Sequence, residues 1–238
     1  MKDNFTSFSF KSEIVKGIKE LGFKIPTPIQ KKVIPHLLFS KQDLIAFSQT
    51  GTGKTAAFGL PLLHLTDVDD KSIQSLILCP TRELCLQIGK DLSMYSKYLK
   101  GVSVLSVYGG EKIEKQIKNL KKNPQIIVGT PGRTKDLIKR KKLFLGDTKR
   151  LIMDESDEML SMGFKDDLEM IMHSTSKIKQ TLLFSATMTP KVLSVTKKYM
   201  QHSLEISVAR TNLEAENVQH VFYMVQAKNR YEVIKRIA

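Results

Sequence analysis

Short apolar runs recur along this chain at regular intervals, and longer segments with helical spacing separate them. In one such segment Leu84, Ile88, Leu92 and Tyr95 fall on one face of a helix. Strands that alternate with helices indicate βαβ units and a mostly parallel sheet with helices on both faces. The sequence therefore predicts an α/β fold with about seven strands, at 43–48, 75–80, 102–109, 125–130, 150–155, 181–187 and 204–209.

Composition excludes several classes of protein. A chain of 238 residues, 41% of them hydrophobic, can bury a sizeable core. No apolar run approaches the roughly 18 residues that a bilayer span needs, and the first ten residues lack the apolar stretch of a signal peptide. Cys79 and Cys85 are the only cysteines, and no His-rich cluster accompanies them. We therefore expect reduced thiols, no zinc site, no membrane partner and a cytoplasmic location.

The formal net charge of +14 favours a polyanionic partner, and nucleic acid is the first candidate. Charge alone does not establish that partner, because most of the excess is lysine spread along an ordinary solvated surface. Only seven of the 38 basic residues are arginine.

The two ends of the chain differ in character from its middle. Near the start, Ser12 is expected to cap a helix that ends at Gly22, and Thr27 with Pro28 opens a second helix. From about Asn217 the sequence predicts one strand and one helix with no sheet of their own. We therefore expect a first domain over 1–209 and a linker with the truncated start of a second domain over 210–238.

The segment after the first predicted strand has the composition of a phosphate-binding loop. Its pattern matches G-x-x-x-x-G-K-[ST], except that Ser48 stands where the first glycine is usual. Gly51 and Gly53 allow successive N–H groups to face an anion. Lys54 adds a positive charge, and Thr55 offers a hydroxyl to Mg²⁺ at the start of a helix.

Four carboxylates follow the apolar run that begins at Arg150, and two interpretations suit them. Acidic residues cap the first turn of a helix, and carboxylates at the end of a buried strand also bind hard cations. A phosphate loop that binds Mg²⁺–nucleotide requires such a carboxylate. We therefore assign Asp154 to Mg²⁺, partly through water, and Glu155 to the attacking water.

The full set of motifs resembles the DEAD-box ATP-dependent RNA helicases. The motifs occur in that family's order over residues 5 to 208, and the ordered set is far more specific than any one motif. They read "GFKIPTPIQ" (22–30), "SQTGTGKT" (48–55), "PTREL" (80–84), "GG" (109–110), "TPGR" (130–133), "DESD" (154–157) and "SAT" (185–187). The resemblance implies a RecA-like P-loop domain that uses ATP and Mg²⁺.

The resemblance also implies roles for individual residues of the nucleotide site. Within an adenine-reading segment over 1–40, Gln30 would read the adenine edge, Phe23 would stack, and Phe5 matches an isolated upstream aromatic. Thr27 and Gln30 also form a capping-box pattern, and both roles can coexist. The remaining nucleotide-binding candidates are Ser48, Gln49, Thr50, Gly51, Thr52, Gly53, Lys54 and Thr55.

Three loops resemble the family's RNA-facing segments. Small residues, helix N-termini and arginines suit contacts with the sugar-phosphate backbone, which carry no base sequence. Ser185 and Thr187 resemble the coupling segment whose hydroxyls link the acidic cluster, which includes the catalytic candidate Asp157, to RNA binding. The RNA-binding candidates are Pro80, Thr81, Arg82, Gly109, Gly110, Thr130, Pro131, Gly132 and Arg133.

Two features depart from the family pattern. Ser156 stands where the family has alanine, and little loss of chemistry is expected because the three carboxylates remain. No segment matches the His-, Arg- and Gly-rich motif of the family's second RecA-like domain, so we expect that domain to be a missing partner. A non-hydrolysing RNA binder and a DNA-directed helicase stay open as alternatives. The oligomeric state does not follow from the sequence, and a monomer is expected.

Overall fold

The computed structural model describes residues 4–49, 51–208, 225–226 and 229–237, without the side chain of Ile237. The chain divides into two units, Met1–Val208 and Ala209–Ala238. The second unit contributes one described helix, Arg230–Ile237, which agrees with the helix predicted in the tail. The strand predicted from Asn217 lies outside the described residues.

The first unit is built on a seven-stranded sheet in which every neighbouring pair is parallel. The strand bounds are β1 Leu44–Phe47, β2 Ser75–Leu78, β3 Val104–Val107, β4 Ile126–Gly129, β5 Arg150–Met153, β6 Gln180–Ser185 and β7 Leu204–Ser207. The strand order is β3-β4-β2-β5-β6-β1-β7. All seven strands occur where the apolar runs predicted them, and each end lies within two residues of the predicted bound; β6 begins one residue earlier than predicted.

Helices cover both faces of the sheet, as predicted. A short 3-10 helix at Phe5–Phe8 precedes them. In chain order the α-helices of the first unit are α1 Ser12–Glu20, α2 Pro28–Phe39, α3 Lys54–Leu65, α4 Arg82–Tyr95, α5 Ile113–Leu120, α6 Pro131–Lys139, α7 Ser156–Ser161, α8 Lys165–Ser174 and α9 Pro190–Tyr199. The helix of the second unit, Arg230–Ile237, is α10.

Two apolar cores lie on opposite faces of the sheet. Helices α1 to α4 pack on the face that includes Ala46 and Ile77, whereas α5 to α9 pack on the face that includes Ile45 and Leu78. Successive strand residues therefore enter different cores. This is why the strands read as continuous apolar runs rather than as an alternation of apolar and polar residues.

The first helix begins one residue earlier than the sequence indicated. Lys11 occupies the N-cap, because its carbonyl oxygen already accepts bonds from the N–H groups of Ile14 and Val15. Ser12 therefore does not cap this helix, and its hydroxyl bonds to Glu13 Oε2 at 3.1 Å. The predicted end at Gly22 is confirmed, since this glycine has a φ of 78° and its N–H donates to a carbonyl of the last turn.

Two further observations concern the cysteines and the question of membrane-spanning helices. Cys79 and Cys85 are free thiols and both are buried. Within the described residues, no helix has the length and apolar character needed to cross a membrane.

Candidate functional site

The phosphate-loop candidates connect the end of β1 to the start of α3. Ser48 N donates to Ser185 O at 3.1 Å, which holds the start of the loop against β6. Gly51 and Gly53 have φ angles of 78° and 88°, a region that glycine enters without strain. A Cβ on Gly53 would also lie 2.5 Å from Gln30 Nε2, so this position has no space for a side chain. Thr50 lies outside the described residues.

Lys54 and Asp154 form a buried ion pair at the carboxyl edge of the sheet. Lys54 Nζ lies 3.7 Å from Asp154 Oδ1 and 3.4 Å from Ser48 O. Burial raises the pKa of the Asp154 carboxyl to about 6, the Lys54 charge opposes that shift, and the Glu155 charge adds to it. A cation beside Asp154 would therefore favour the ionised carboxylate.

Glu155 has a backbone conformation that is unusual for a residue with a side chain. Its φ and ψ are 52° and 51°, in the left-handed region, where it forms the N-cap of α7. Such strained positions concentrate at functional sites. The turn places Glu155 and Asp154 together on the wall of one cleft of about 340 Å³.

Asp157, Ser185 and Thr187 are joined by hydrogen bonds. Asp157 Oδ2 accepts from the Thr187 N–H at 3.0 Å and from its hydroxyl at 2.8 Å. The Ser185 hydroxyl donates to Thr187 O at 2.7 Å. The acidic segment after β5 is therefore bonded directly to the segment after β6.

The Gln30 side chain is buried and bonded at both ends. Its Oε1 accepts from the Thr27 N–H at 2.9 Å, which is one half of the capping box, and its Nε2 donates to Gly53 O at 3.1 Å. The Thr27 hydroxyl donates to Thr52 O at 2.9 Å, and the Thr52 hydroxyl to Gln49 O at 2.9 Å. In this form of the protein the glutamine therefore links α2 to the phosphate loop.

The aromatic candidates form a stack that leads into the cleft. Phe23 lies on the cleft wall, and its ring centroid is 5.6 Å from that of Phe5 and 5.8 Å from that of Tyr95. Phe5 is buried behind Phe23 and is not one of the described residues that line this cleft. Phe23 is therefore the predicted aromatic that a ligand in the cleft would meet first.

One wall of the cleft was missed by motif analysis. It comes from α4, which contributes Leu84, Gln87, Asp91 and Tyr95. Helical periodicity had placed Leu84 and Tyr95 on one face, but the sequence holds no signal that this helix packs beside α3 and borders the phosphate loop.

The residues present suit magnesium. Thr55 and Asp154 both line the cleft and both offer oxygen, the donor that this ion prefers. The described residues contain no cluster of three or more His, Cys, Asp or Glu side chains that could hold a metal. A sparse donor set agrees with an ion that keeps most of its waters and takes additional oxygens from phosphates.

The three RNA-facing candidate loops converge on a second cleft, of about 420 Å³. Six of the predicted residues line it: Pro80, Arg82, Gly109, Thr130, Gly132 and Arg133. Thr81 caps α4, and Pro131 opens α6. Gly110 has a φ of 82°, which the turn after β3 requires. The carboxyl edge of the sheet thus carries two clefts.

The two arginines of this second cleft differ in how far their guanidinium groups are engaged by other residues. Arg82 is exposed, and its guanidinium lies 5.0 Å from the centroid of the Tyr108 ring. Arg133 donates to Gln116 Oε1 and to Glu111 O, both at 3.0 Å, so it also braces the loop after β3. Arg82 is therefore the freer candidate for a phosphate contact. Asp136 and Phe164, which no motif indicated, complete the cleft.

Ser156→Ala is expected to leave the affinity for Mg²⁺–nucleotide unchanged. The Ser156 hydroxyl is buried and donates to Met153 O at 3.1 Å, away from the cleft. Loss of that bond should lower the free energy of unfolding by about 1 kcal/mol. Calorimetric titration and thermal unfolding measure the two effects, with Ser161→Ala as a matched control on the same helix. A tenfold change in nucleotide affinity would contradict this expectation.

Comparisons with known proteins agree with this geometry. The DEAD/DEAH box helicase family model matches residues 27–195. The chain is 46% identical over 233 residues to the ATP-dependent RNA helicase CshA of Listeria monocytogenes, covering 98% of this chain and 44% of that protein. It is 43% identical to the ATP-dependent RNA helicase DeaD of Buchnera aphidicola, covering 97% of this chain and 38% of that protein. The chain thus spans less than half the length of these relatives.

Two solved structures have the same fold. A DEAD box protein from Methanococcus jannaschii aligns with a TM-score of 0.83 and 40% identity, covering 98% of this chain and 62% of that one. A hypothetical ATP-dependent RNA helicase from Sulfolobus tokodaii aligns with a TM-score of 0.77 and 36% identity, covering 83% and 57%. The predicted RecA-like fold is confirmed. Since the family model matches well over half of its residues, the chain belongs to the DEAD/DEAH box helicase family.

Proposed function

We propose that this chain is the ATP-binding half of an ATP-dependent RNA helicase. It binds ATP and Mg²⁺ in the first cleft and the RNA sugar-phosphate backbone in the second. The observation that carries the proposal is the bonded path from Asp157 to Thr187 and Ser185 along the edge that holds both clefts. Asp157 lies two residues after Glu155 of the nucleotide cleft, so these bonds connect that cleft to the segment after β6.

In the nucleotide cleft, the N–H groups of the phosphate loop and the Lys54 ammonium hold the phosphates. Thr55 and Asp154 hold Mg²⁺, which when bound neutralises phosphate charge. Glu155 orients the attacking water and accepts its proton. Phe23 stacks on adenine, and Gln30 reads its edge after exchanging one of its present partners. A site that hydrogen-bonds one particular base rejects others because its own polar groups would be left unpaired.

We also propose that residues 1–209 form the N-terminal RecA-like domain and that 210–238 begin a second one. The length of the relatives supports this division, since each extends well beyond the matched region. Duplex separation by the whole protein then requires both domains.

RNA binding is expected to be weak, tolerant of sequence and dependent on salt. Each neutralised phosphate contributes a slope of about −0.7 to log K against log salt for a single strand. Arg82→Gln should therefore reduce the magnitude of the slope by about 0.7 and weaken binding equally for unrelated RNA sequences. Fluorescence anisotropy of labelled single-stranded RNA, measured from about 50 to about 300 mM salt, tests this prediction.

Lys97→Gln is the matched control for that experiment. Lys97 follows the other end of α4, is exposed, and pairs with Glu20 rather than with a residue of the second cleft. Its removal lowers the net charge by the same amount and should leave the slope unchanged. An equal effect of the two substitutions would mean that binding follows overall charge, and a flat salt dependence would remove the RNA-backbone assignment.

A further inference from the structure

The wall that α4 contributes to the nucleotide cleft contains an acidic residue, Asp91, to which the proposed function assigns no role. Gln87, Asp91 and Tyr95 are spaced by four residues, so they follow one another along a single face of the helix. All three line the cleft together with the phosphate loop. They lie outside the motifs that define the two clefts.

The ends of the cleft fix where Asp91 would meet a nucleotide. Lys54 and Thr55 mark the phosphate end, and Phe23 marks the base end. Tyr95 touches Phe23 at the base end. Asp91 lies one helical turn, about 6 Å, before Tyr95 towards the start of α4. It therefore faces the part of the ligand between base and phosphates, which is the sugar.

Asp91 has no hydrogen bond and no ion pair within the described part of the chain. The residue is half-buried, and burial raises the pKa of its carboxyl although the neighbouring Lys90 charge opposes the shift. The Asp91 charge contributes in turn to a raised pKa of the Tyr95 hydroxyl, after the larger effect of burial. A half-buried carboxylate without a partner is stabilised by any ligand group that donates hydrogen bonds to it.

The chemistry of a carboxylate selects among the groups of a nucleotide. An ionised carboxylate accepts hydrogen bonds and cannot donate them, so it repels phosphates and suits hydroxyl groups. The two oxygens match the two adjacent hydroxyls of a ribose. Acidic residues bind ribose hydroxyls in the same way in dinucleotide-binding folds.

We infer that Asp91 binds the ribose of the nucleotide, with its carboxylate accepting hydrogen bonds from the 2′- and 3′-hydroxyls. This inference rests on the proposed nucleotide site and adds a residue outside the motifs assigned to that site. The site then favours ribonucleotides over deoxyribonucleotides through a residue of α4, separately from any reading of the base by Gln30.

Isothermal titration with ADP and 2′,3′-dideoxy-ADP tests the assignment. The unsubstituted chain should bind ADP about tenfold more tightly, a discrimination of the size of one net hydrogen bond to a charged group. Asp91→Asn, which keeps the size of the side chain, should reduce the ratio of the two affinities, and Asp91→Ala should bring it close to one. Glu114→Ala, which removes an exposed acid of α5 outside both clefts, should leave the ratio unchanged.

The informative quantity is the ratio of the affinities for ADP and 2′,3′-dideoxy-ADP. Loss of a negative charge near a polyphosphate can by itself strengthen the binding of both ligands, but it leaves their ratio unchanged. An unchanged ratio in Asp91→Ala, or equal affinities in the unsubstituted chain, would overturn the ribose assignment. A changed preference between ADP and GDP with an unchanged ribose ratio would also overturn it, since Asp91 would then read the base.

Lys54→Ala separates this inference from the function on which it rests. If ADP binds and Lys54→Ala abolishes that binding, the nucleotide site stands and the ratio alone decides the role of Asp91. If ADP does not bind the unsubstituted chain, the nucleotide site and the ribose assignment both fail.

Discussion

Replacing Lys54 with alanine is expected to lower the affinity for ADP and ATP about a hundredfold, equivalent to about 2.8 kcal/mol. Lys54 is 7% exposed and is the only lysine among the described residues of the nucleotide cleft. In the proposed complex its ammonium would face the phosphates, in a site where burial strengthens charge-assisted hydrogen bonds. Isothermal titration with and without Mg²⁺ measures the loss.

The same substitution also affects stability, and this must be measured separately. Removal of Lys54 leaves Asp154, 2% exposed, without the partner that lies 3.7 Å away. An unpaired buried carboxylate destabilises the fold or takes up a proton. Thermal unfolding of the ligand-free variant reports that effect. Lys54→Met retains most of the apolar stem, so a similar loss of affinity in both variants assigns the loss to the charge.

Lys97→Ala controls for a change in net charge. The Lys97 side chain is exposed and pairs with Glu20, outside the nucleotide cleft. This variant should bind nucleotide like the unsubstituted chain. Affinities of Lys54→Ala within threefold of the unsubstituted value would mean that the loop after β1 does not hold phosphates.

The fold was predictable because the sheet is buried on both faces. Ile45 and Ala46 are adjacent in sequence yet enter different cores, so the strand must be apolar at every position. The same feature makes the carboxyl edge easy to recognise, since Ser48 and Asp154 are polar residues that interrupt apolar runs. Gly51 and Gly53 add a backbone signal that depends only on local conformation.

The sequence did not predict the features of the site that depend on packing between elements far apart in the chain. Asp91 looks like an ordinary solvent-facing residue of an amphipathic helix, and only the packing of α4 against α3 brings it to the nucleotide cleft. Arg133 matches a phosphate-contact pattern, but its guanidinium already donates two hydrogen bonds within the protein, to Gln116 Oε1 and to Glu111 O. For Gln30 the local sequence indicates the capping box and the family resemblance implies adenine reading; the structure shows its Oε1 bonded to the Thr27 N–H and its Nε2 bonded to Gly53 O.

A second large effect is expected on the rate at which residues 1–238 by themselves hydrolyse ATP. Arginine fingers are worth about 10³ to 10⁵ in the rate of phosphoryl transfer. In the described part of the chain no arginine lines the nucleotide cleft, and Lys54 supplies positive charge from the phosphate-loop side alone. Arg230 and Arg236 are in the second unit, and neither belongs to a motif of the kind that supplies such a finger. Residues 1–238 alone are therefore expected to bind ATP without appreciable RNA-stimulated hydrolysis or duplex unwinding.

Covalent fusion to the second half of the Listeria relative tests this expectation, because that protein is 46% identical in its matched half and continues beyond it. The fusion should raise RNA-stimulated phosphate release by about 10³ or more over residues 1–238. Glu155→Gln in the fusion should remove that gain, since the glutamine cannot accept the proton of the attacking water. Rapid RNA-stimulated turnover by residues 1–238 alone, abolished by Glu155→Gln, would contradict the expectation. The positive charge opposite Lys54 would then have to come from a second copy of the chain, and turnover per chain would rise with protein concentration.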